Sequence, residues 1–393
     1  MIDLGFGDAG KGSITDFLVR DRAAELVVRF NGGAQAGHSV VLEDGRQHTF
    51  SQFGSGSFAG APTLLGPDFL LHPLGMEVEA RHLRAAGLSR PFATVAVHED
   101  AKLITPYHQA RNRYIERQRG ASAHGSCGVG VGECVQHSFE APDEVLRAGD
   151  LCNPTKIRRR LHLQRQRAIP DPLFTDDTLI ERVIQAWGEL AEQLSVISSE
   201  QFGNRLAQAK RVVFEGAQGV LLDQWWGLHP HTTWSDCTGG AIATLWNGDL
   251  TRLGLVRSYM VRHGRGPLPT EGSGPDVQEI HNSNDSFQGR FRTGALDAVL
   301  LRYALKVCPT DVLVVSHIDQ QSTGRVCPRY QSGQEIGVGA REDLDERATL
   351  TRRLFGEQPV LESADVVPWV EEQLSLPVGL TSVGSAAADK TWR

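Results

Sequence analysis

The stretch GFGDAGKGS, residues 5–13, decides how this chain is interpreted. Gly5, Gly10 and Lys11 fit the pattern G-x-x-x-x-G-K, which is most of a phosphate-binding P-loop. Glycines let the backbone approach a phosphate, and the N–H groups and positive dipole end of the following helix attract the same anion. Lys11 adds a positive charge. The competing interpretation is a tight turn that leads into a helix and binds nothing.

Two residues make this loop unusual. Gly12 stands where a serine or threonine would hold Mg²⁺, and Ser13 comes one place late. Asp8 puts a carboxylate among phosphate-binding amides, which is repulsive unless the carboxylate has a function. It could hold a metal, or it could act as a base toward a second substrate. Either function would replace the missing hydroxyl, and the loop alone leaves both open.

Composition excludes several classes of function. The chain has 393 residues, and its 40 basic and 47 acidic side chains give a net charge of −7. We therefore expect no broad attraction to nucleic acid or to anionic lipid. We see no apolar run of the roughly 18 residues that span a membrane and no signal peptide. The six cysteines form no CxxC pair, which favours a reduced, cytoplasmic protein.

Short apolar runs alternate with helical patterns along the chain. The predicted strands are ELVVRF (25–30), ATVAVH (93–98), RVVFEG (211–216), GLVRSYMV (254–261) and DVLVVSHID (311–319). The predicted helices lie at 12–25, 179–194 and 296–307. This alternation predicts an α/β fold with a mainly parallel central sheet flanked by helices. We expect one domain over 1–393, with a helical excursion around 151–205 and less regular structure over 320–380.

A second glycine-rich turn lies in VVRFNGGAQAGHSV, residues 27–40. A predicted strand runs into this turn, which ends in Gly37, His38 and Ser39. A histidine there could be a turn residue only. The neighbouring loops favour a role in stabilising charge on a phosphoryl group during transfer.

At these residues the chain resembles the adenylosuccinate synthetase family, whose members carry GDEGKGK and then a GG-x-N-AGHT turn. FEGAQGVLLD (214–223) is similar to the family's FEGAQG-x-LLD, and GRGPLPTE (264–271) is similar to its GAGPFPTE. GRFRTGALD (289–297), SHIDQ (316–320) and TSVGS (381–385) stand where the family has its arginine-rich segment with TGWLD, its TKLD and its STGP. The motifs occur in family order and span nearly the whole chain, which is identified as a divergent member.

The resemblance implies a ligase that couples IMP and L-aspartate with GTP and Mg²⁺, in AMP biosynthesis. GTP phosphorylates O6 of the purine, and the amino group of aspartate then displaces phosphate from C6. Asp8 would take the N1 proton and also touch Mg²⁺, with the backbone of Gly37 as a further ligand. His38 would donate to the migrating phosphoryl group, and Gln218 would hydrogen-bond the acceptor base.

The resemblance also distributes the substrates over the chain. GTP would be bound by Gly7, Gly10, Lys11, Gly12, Ser13, Arg292, His317, Asp319, Ser382 and Gly384. Asp319 would read N1–H and the amino group of guanine, and the alternative for this residue is an acid that caps a strand end. L-aspartate would be clamped by Arg290 and Arg292. The purine nucleotide acceptor would contact Asp8, Gln35, Cys127, Gln218, Thr238 and His263. The family also implies a homodimer with loop 125–150 at its interface.

The departures from the family concentrate around the acceptor phosphate. Cys127 replaces a threonine that binds this phosphate, Val129 replaces an arginine, and Asp143 stands where an arginine reaches across the dimer interface. His263 replaces a valine under the ribose. IMP is our leading acceptor, and the alternatives are the same chemistry on another purine such as dGMP, or a GTP-binding regulatory protein without turnover. A simple P-loop GTPase fails on Gly12 and leaves EGAQG without a role.

Overall fold

The structure is a computed structural model that describes residues 1–120, 123–277 and 289–393. The α-helices of these ranges are α1 (Lys11–Arg22), α2 (Pro73–Ala85), α3 (Pro106–Arg119), α4 (Val131–Glu140), α5 (Pro154–Gln166), α6 (Leu179–Ala191), α7 (Ser199–Gln208), α8 (Ile242–Leu245), α9 (Ala298–Val307), α10 (Leu344–Gly356) and α11 (Val366–Leu374). The strands are β1 (Ile2–Asp3), β2 (Leu26–Arg29), β3 (His38–Val41), β4 (Gln47–Phe50), β5 (Thr63–Leu65), β6 (Leu70–Leu71), β7 (Val95–His98), β8 (Lys102–Leu103), β9 (Ser195–Ile197), β10 (Val212–Phe214), β11 (Leu253–Arg257), β12 (Met260–His263), β13 (Phe291–Gly294), β14 (Leu296–Asp297), β15 (Val312–Ser316), β16 (Thr323–Tyr330), β17 (Pro359–Asp365), β18 (Val378–Ser382) and β19 (Lys390–Trp392).

The chain divides into two compact units. The first unit combines Met1–Phe17 with Gly216–Arg393, and the second unit spans Leu18–Glu215. Each unit has its own five-stranded sheet and its own apolar core. The organisation as one domain, which the sequence suggested, stays a prediction.

The sheet of the first unit has the strand order β1-β11-β15-β18-β19. Its first four strands run parallel, and β19 is antiparallel to β18. Leu313, Val314 and Val315 of β15 are fully buried, as expected for a parallel strand covered on both faces. The carboxyl ends of parallel strands meet at one edge, so the loop after β1 lies beside the ends of β11 and β15. There the Ser316 hydroxyl donates to the Ala9 carbonyl at 3.0 Å.

The sheet of the second unit is entirely parallel, in the order β10-β2-β5-β7-β9. Val27 of β2 lies between Val213 and Thr63 in register. Since β2 and β10 are neighbours and end at the same edge, the turn that follows β2 and the residue that follows β10 come close together. These are the segment before His38 and Glu215.

The predicted excursion, residues 151–205, contains helices α5 and α6, most of α7, and the edge strand β9. Along α6 the side chains of Ile180, Val183, Trp187 and Leu190 are buried at helical spacing and join the core of the second unit. Burial of each such side chain stabilises the fold by roughly 1.5–3 kcal/mol. No helix within the described ranges combines the length and apolar character needed to cross a membrane.

Two expectations about regular structure were wrong. Residues 320–380 contain β16, α10, β17 and α11, and β16 pairs antiparallel with β17. These strands are half exposed and carry charged side chains, so they lack the apolar run that reveals a buried strand. The predicted strand 254–261 is two strands, because the chain leaves the sheet at Ser258, whose hydroxyl donates to the His317 carbonyl at 2.7 Å. This break starts β12, which pairs with β13 instead.

A chain of hydrogen bonds joins two buried histidines between α3 and α4. The backbone N–H of Thr105 donates to Nδ1 of His108 at 3.2 Å, so the proton of this neutral ring is on Nε2. That nitrogen lies 3.0 Å from Nδ1 of His137, whose Nε2 lies 3.3 Å from Glu144. Burial, with the charges of His137 and Arg111, lowers the pKa of His108 to about 3.

This pKa predicts acid lability of the fold. The unfolded chain takes up a proton on His108 near pH 6.5 and the folded chain does not, so the free energy of unfolding should fall as pH drops below about 6.5. The slope contributed by this residue approaches about 1.4 kcal/mol per pH unit. Urea unfolding from pH 7.5 to 5 should show this slope, and His108→Gln should remove about one proton of linkage. An unchanged slope in His108→Gln would contradict the prediction, with the exposed His82→Gln as control.

Candidate functional site

Asp3 organises the glycine-rich loop of the first unit. Its buried carboxylate accepts hydrogen bonds from the backbone N–H groups of Gly5 at 2.8 Å, Gly7 at 3.3 Å and Ala9 at 3.0 Å. Its Oδ2 also accepts from Nζ of Lys11 at 3.1 Å. One acid therefore fixes the backbone of the loop and neutralises its lysine. The sequence pattern did not single out Asp3, and its only signal is an acid at the end of a strand just before the first glycine.

The remaining P-loop residues surround the start of α1. Nζ of Lys11 donates a second hydrogen bond, to the carbonyl of Gln218 at 2.7 Å. The N–H groups of Lys11, Gly12 and Ser13 precede the first helical hydrogen bond of α1, from Ile14 N to Gly10 O at 3.1 Å. A helix start of this kind attracts an anion. Gly7 and Gly10 have φ of 97° and 80°, which only glycine adopts without strain.

Asp8 points its side chain out of the loop. Its φ is 60°, an uncommon value for a residue with a side chain, and the side chain is 39% exposed. Nε2 of His263 lies 3.5 Å from its Oδ2, and Nη1 of Arg257 donates to its carbonyl at 3.2 Å. Desolvation raises the pKa of Asp8, but the hydrogen bond and charge of His263, with the charges of Lys11 and Arg257, outweigh it and lower the pKa. Asp8 is thus an ionised carboxylate that can accept a proton or bind a cation.

Gln218 lies on a tight turn against the same loop. A Cβ on Gly219 would come within 2.3 Å of the Gly5 carbonyl, so the EGAQG turn needs glycine for this close approach. Gln218 itself has φ of 59°, and its Oε1 accepts a weak hydrogen bond from the Cys237 thiol at 3.9 Å. Its buried Nε2 has no hydrogen-bond partner among the described residues of its unit. An unpaired buried donor costs about 1–3 kcal/mol, which a ligand acceptor would offset.

Thr238, predicted to contact the acceptor, is engaged within its own loop. Its hydroxyl donates to Oδ1 of Asp236 at 2.7 Å, and its N–H donates to the same oxygen at 2.9 Å. Cys237, its neighbour, is the residue that reaches Gln218. Burial raises the pKa of the Cys237 thiol well above its usual value, so it stays protonated.

The residues assigned to guanine lie together at the ends of β15 and β18. Ile318 N donates to Ser382 O at 3.1 Å, which brings the segment with His317 and Asp319 beside Ser382, whose hydroxyl donates to Gly384 O at 3.0 Å. Burial, then the charge of Arg257, lowers the pKa of His317 to about 3, so this ring is neutral. Asp319 is exposed and accepts from the side-chain amide of Gln320 at 2.6 Å.

Lys390 is a cation of this cluster that the sequence did not reveal. Its Nζ donates to Gly384 O at 2.9 Å and to Ala386 O at 2.7 Å. Burial lowers its pKa to about 8, against the charges of Asp389, Asp16 and Asp319 that raise it. Since no motif contains Lys390, sequence alone gave no signal for it.

The two arginines assigned to aspartate lie at the two-stranded sheet of β12 and β13, with Arg290 directly before β13 and Arg292 within it. Arg290 is exposed, and its carbonyl accepts from Gly264 N at 3.2 Å. Nη1 of Arg292 donates a hydrogen bond to Oε2 of Glu271 at 2.6 Å, and its Nη2 donates one to the Gly266 carbonyl at 2.6 Å. Arginine suits carboxylates because its fork can bind both oxygens, and Arg292 contacts the Glu271 carboxylate through Nη1 alone.

In the second unit, Glu215 holds His38. Nδ1 of the buried His38 ring lies 2.6 Å from Oε1 of Glu215, and Ser55 donates to Glu215 through its N–H at 3.1 Å and through its hydroxyl. Burial raises the pKa of Glu215, but the charges of His38 and Arg29 and the hydrogen bonds of His38 and Ser55 lower it to about 2. An ionised Glu215 fixes the proton on Nδ1 of His38 and sets the orientation of the ring. Glu215 is the first residue of EGAQG, and the motif alone assigned it no role.

The other predicted residues of the second unit are spread over its loops. Both polar atoms of the Gln35 amide are buried without a hydrogen-bond partner among the described residues of this unit. A Cβ on Gly37 would lie 2.9 Å from Thr49 Cγ2, so this position favours glycine. Burial raises the pKa of the Cys127 thiol. Val129 packs on the apolar cluster that contains Ile104, and Asp143 is exposed.

The Asp3–Lys11 pair yields a prediction for stability. Asp3→Asn leaves the ammonium of Lys11 buried beside a neutral amide, and loss of one partner of a buried ion pair costs about 3–5 kcal/mol. Urea unfolding at pH 7.5 should show a loss of this size. Asp44→Asn, which breaks the exposed pair with Arg46, should barely change stability. Equal effects of the two substitutions would contradict the role given to Asp3.

Comparison with known proteins agrees with this geometry. The family model described as adenylosuccinate synthetase matches residues 1–356. The adenylosuccinate synthetase of Clostridium acetobutylicum is 32% identical, over 96% of this chain and 95% of its own length. That of Chlorobium chlorochromatii is 29% identical, over 99% of this chain and 95% of its own length.

Two solved structures share the fold. Fully ligated adenylosuccinate synthetase from Plasmodium falciparum superposes with a TM-score of 0.81 at 20% identity, covering 100% of this chain and 98% of that one. Succinoaminodeoxyadenylate synthetase of cyanophage S-2L, bound to dGMP and dATP, superposes with a TM-score of 0.63 at 17% identity, covering 100% and 93%. The predicted α/β fold with a mainly parallel sheet is confirmed. The chain belongs to the adenylosuccinate synthetase family.

Proposed function

We propose that this chain is a GTP-dependent ligase that joins L-aspartate to the 6-position of IMP through a 6-phosphoryl intermediate, giving adenylosuccinate for AMP synthesis. The observation that carries the proposal is the geometry of loop 5–13. The Asp3 carboxylate accepts hydrogen bonds from backbone N–H groups of this loop and from Lys11. The ionised carboxylate of Asp8 points away from the loop. A phosphate-binding loop that presents a base suits a reaction in which the donor and the acceptor must meet.

In this proposal the first unit binds the donor and activates the acceptor. Gly7, Gly10, Lys11, Gly12 and Ser13 hold the phosphates of GTP. Asp8 removes the N1 proton of the purine, because a carbonyl oxygen is a poor nucleophile toward phosphate until that proton leaves. A positioned general base contributes about a hundred- to ten-thousandfold in rate.

Gln218 then hydrogen-bonds the purine through its unpaired Nε2. Asp319, Ser382, Gly384 and the neutral His317 form the guanine site. Arg290 and Arg292 bind L-aspartate, whose carboxylate would compete with Glu271 for the fork of Arg292.

His38 donates to the migrating phosphoryl group in this proposal, as the family resemblance implies. Glu215 keeps the ring oriented for this, since the hydrogen bond to Nδ1 is buried and charge-assisted. Donors fixed in advance stabilise the charge of a phosphoryl transfer without reorganising during the step. Gln35 and Cys127 are the acceptor contacts that we assign to this unit.

The residues present fit Mg²⁺ as the metal. Mg²⁺ usually binds one or two carboxylates together with substrate phosphates and water. Asp8 offers one partly exposed carboxylate, and the residues that the structure describes contain no group of three acidic, histidine or cysteine side chains that would form a closed cage. Asp8 and the carbonyl of Gly37 are its proposed protein ligands. Bound Mg²⁺ would neutralise charge on the phosphates.

A second candidate is the same chemistry on another purine acceptor. It is favoured by Thr238, whose hydroxyl donates to Asp236, and by Val129, which packs on an apolar cluster. Neither side chain adds a cation for an acceptor phosphate. Thr238 and His263 remain proposed acceptor contacts. A homodimer with loop 125–150 at its interface and a cytoplasmic location complete the proposal.

The experiment supplies GTP, Mg²⁺ and L-aspartate with IMP, dIMP, GMP, dGMP or inosine in parallel, and follows phosphate release and product mass. We expect adenylosuccinate from IMP and little GTP hydrolysis without an acceptor. Turnover only with another purine would instead support the second candidate. Tight GTP binding without turnover on any acceptor would contradict both and favour a regulatory protein.

A further inference from the structure

His263 approaches the glycine-rich loop 5–13 from the two-stranded sheet of β12 and β13 rather than from the five-stranded sheet. It is the last residue of β12, and in register it faces Phe291 of β13. The two rings pack edge to face, with centroids 5.0 Å apart and an angle of 65° between the planes. The imidazole is 22% exposed, and this packing helps to orient it.

Three side chains with nitrogen donors lie near Asp8, and two of them, Lys11 and Arg257, donate hydrogen bonds to other groups. Lys11 donates to Asp3 and to the carbonyl of Gln218. Arg257 donates to the backbone carbonyl of Asp8 and to the hydroxyl of Tyr259, over whose ring it also lies. Among the described residues, His263 alone brings a nitrogen to the carboxylate itself, with Nε2 3.5 Å from Oδ2.

A carboxylate in this position needs orientation. Asp8 extends from a left-handed backbone with 39% of its side chain exposed, so its carboxyl group can rotate in solvent. Holding reacting groups in a productive geometry accounts for a large part of enzymatic rate enhancement, and small misplacements are costly.

We propose that His263 is a positioning residue for the ligase reaction, which holds Oδ2 of Asp8 and so orients the carboxylate that accepts the purine proton. This inference rests on the proposed function, because it takes Asp8 as the base. It changes the role given to His263 from a contact of the acceptor to a partner of Asp8. The chain would then use a histidine where the resembling family has valine.

The test compares His263→Val with His263→Gln, since the glutamine amide keeps an N–H donor near the position of Nε2. We expect His263→Val to lower kcat about ten- to a hundredfold while the KM for the acceptor and for GTP changes less than threefold. His263→Gln should recover most of the lost kcat. His162→Gln, on the exposed face of α5 in the second unit, is the matched control and should leave activity unchanged.

The outcomes separate this inference from the proposed function. If the wild-type protein shows no turnover on any acceptor, both the proposed function and this inference are contradicted. With an active wild type, an acceptor KM that rises while kcat is kept would make His263 an acceptor contact and overturn the inference. Equal losses in the valine and glutamine variants would reduce its role to packing and overturn it as well. Thermal unfolding and GTP binding check each variant, and His263→Asn, with a shorter amide, replaces His263→Val if the latter does not fold.

Discussion

The buried carboxylate of Asp3 is the interaction on which the site of the first unit depends. It receives three backbone N–H groups and the ammonium of Lys11, so it closes the loop around itself and balances the lysine charge. A buried carboxylate is tolerated only with such complete partnering. Because the inside of the loop is filled in this way, Asp8 is turned outward, and no backbone N–H of the described residues donates to its carboxylate.

The second unit also contains a buried carboxylate that accepts several hydrogen bonds. Glu215 follows a parallel strand, as Asp3 ends one, and its buried carboxylate likewise accepts several hydrogen bonds. There the recipient is His38, whose ring is held through Nδ1. In both units a buried acid at the carboxyl end of a strand orients a neighbouring group with chemical capacity. This edge is where ligands of open α/β sheets are found.

Sequence predicted the fold class and the two glycine-rich segments, because buried parallel strands and phosphate-binding loops leave strong local patterns. It failed for β16 and β17, whose half-exposed faces carry charges instead of an apolar run. It also failed to single out Asp3 and Lys390, since their partners come from backbone geometry that a linear pattern does not contain. The division of 254–261 into two strands depended on tertiary hydrogen bonds at Ser258, which a linear pattern does not contain.

The central claim is that the loop holds the donor while Asp8 activates the acceptor for phosphoryl transfer. Positional isotope exchange tests it most directly, with GTP labelled by ¹⁸O at the β,γ-bridge and IMP present but L-aspartate absent. The account predicts that, with IMP, the label moves from the β,γ-bridge to the nonbridging oxygens of the β-phosphate. Asp8→Asn should abolish this exchange while GTP binding is retained. Scrambling that persists undiminished in Asp8→Asn would contradict it.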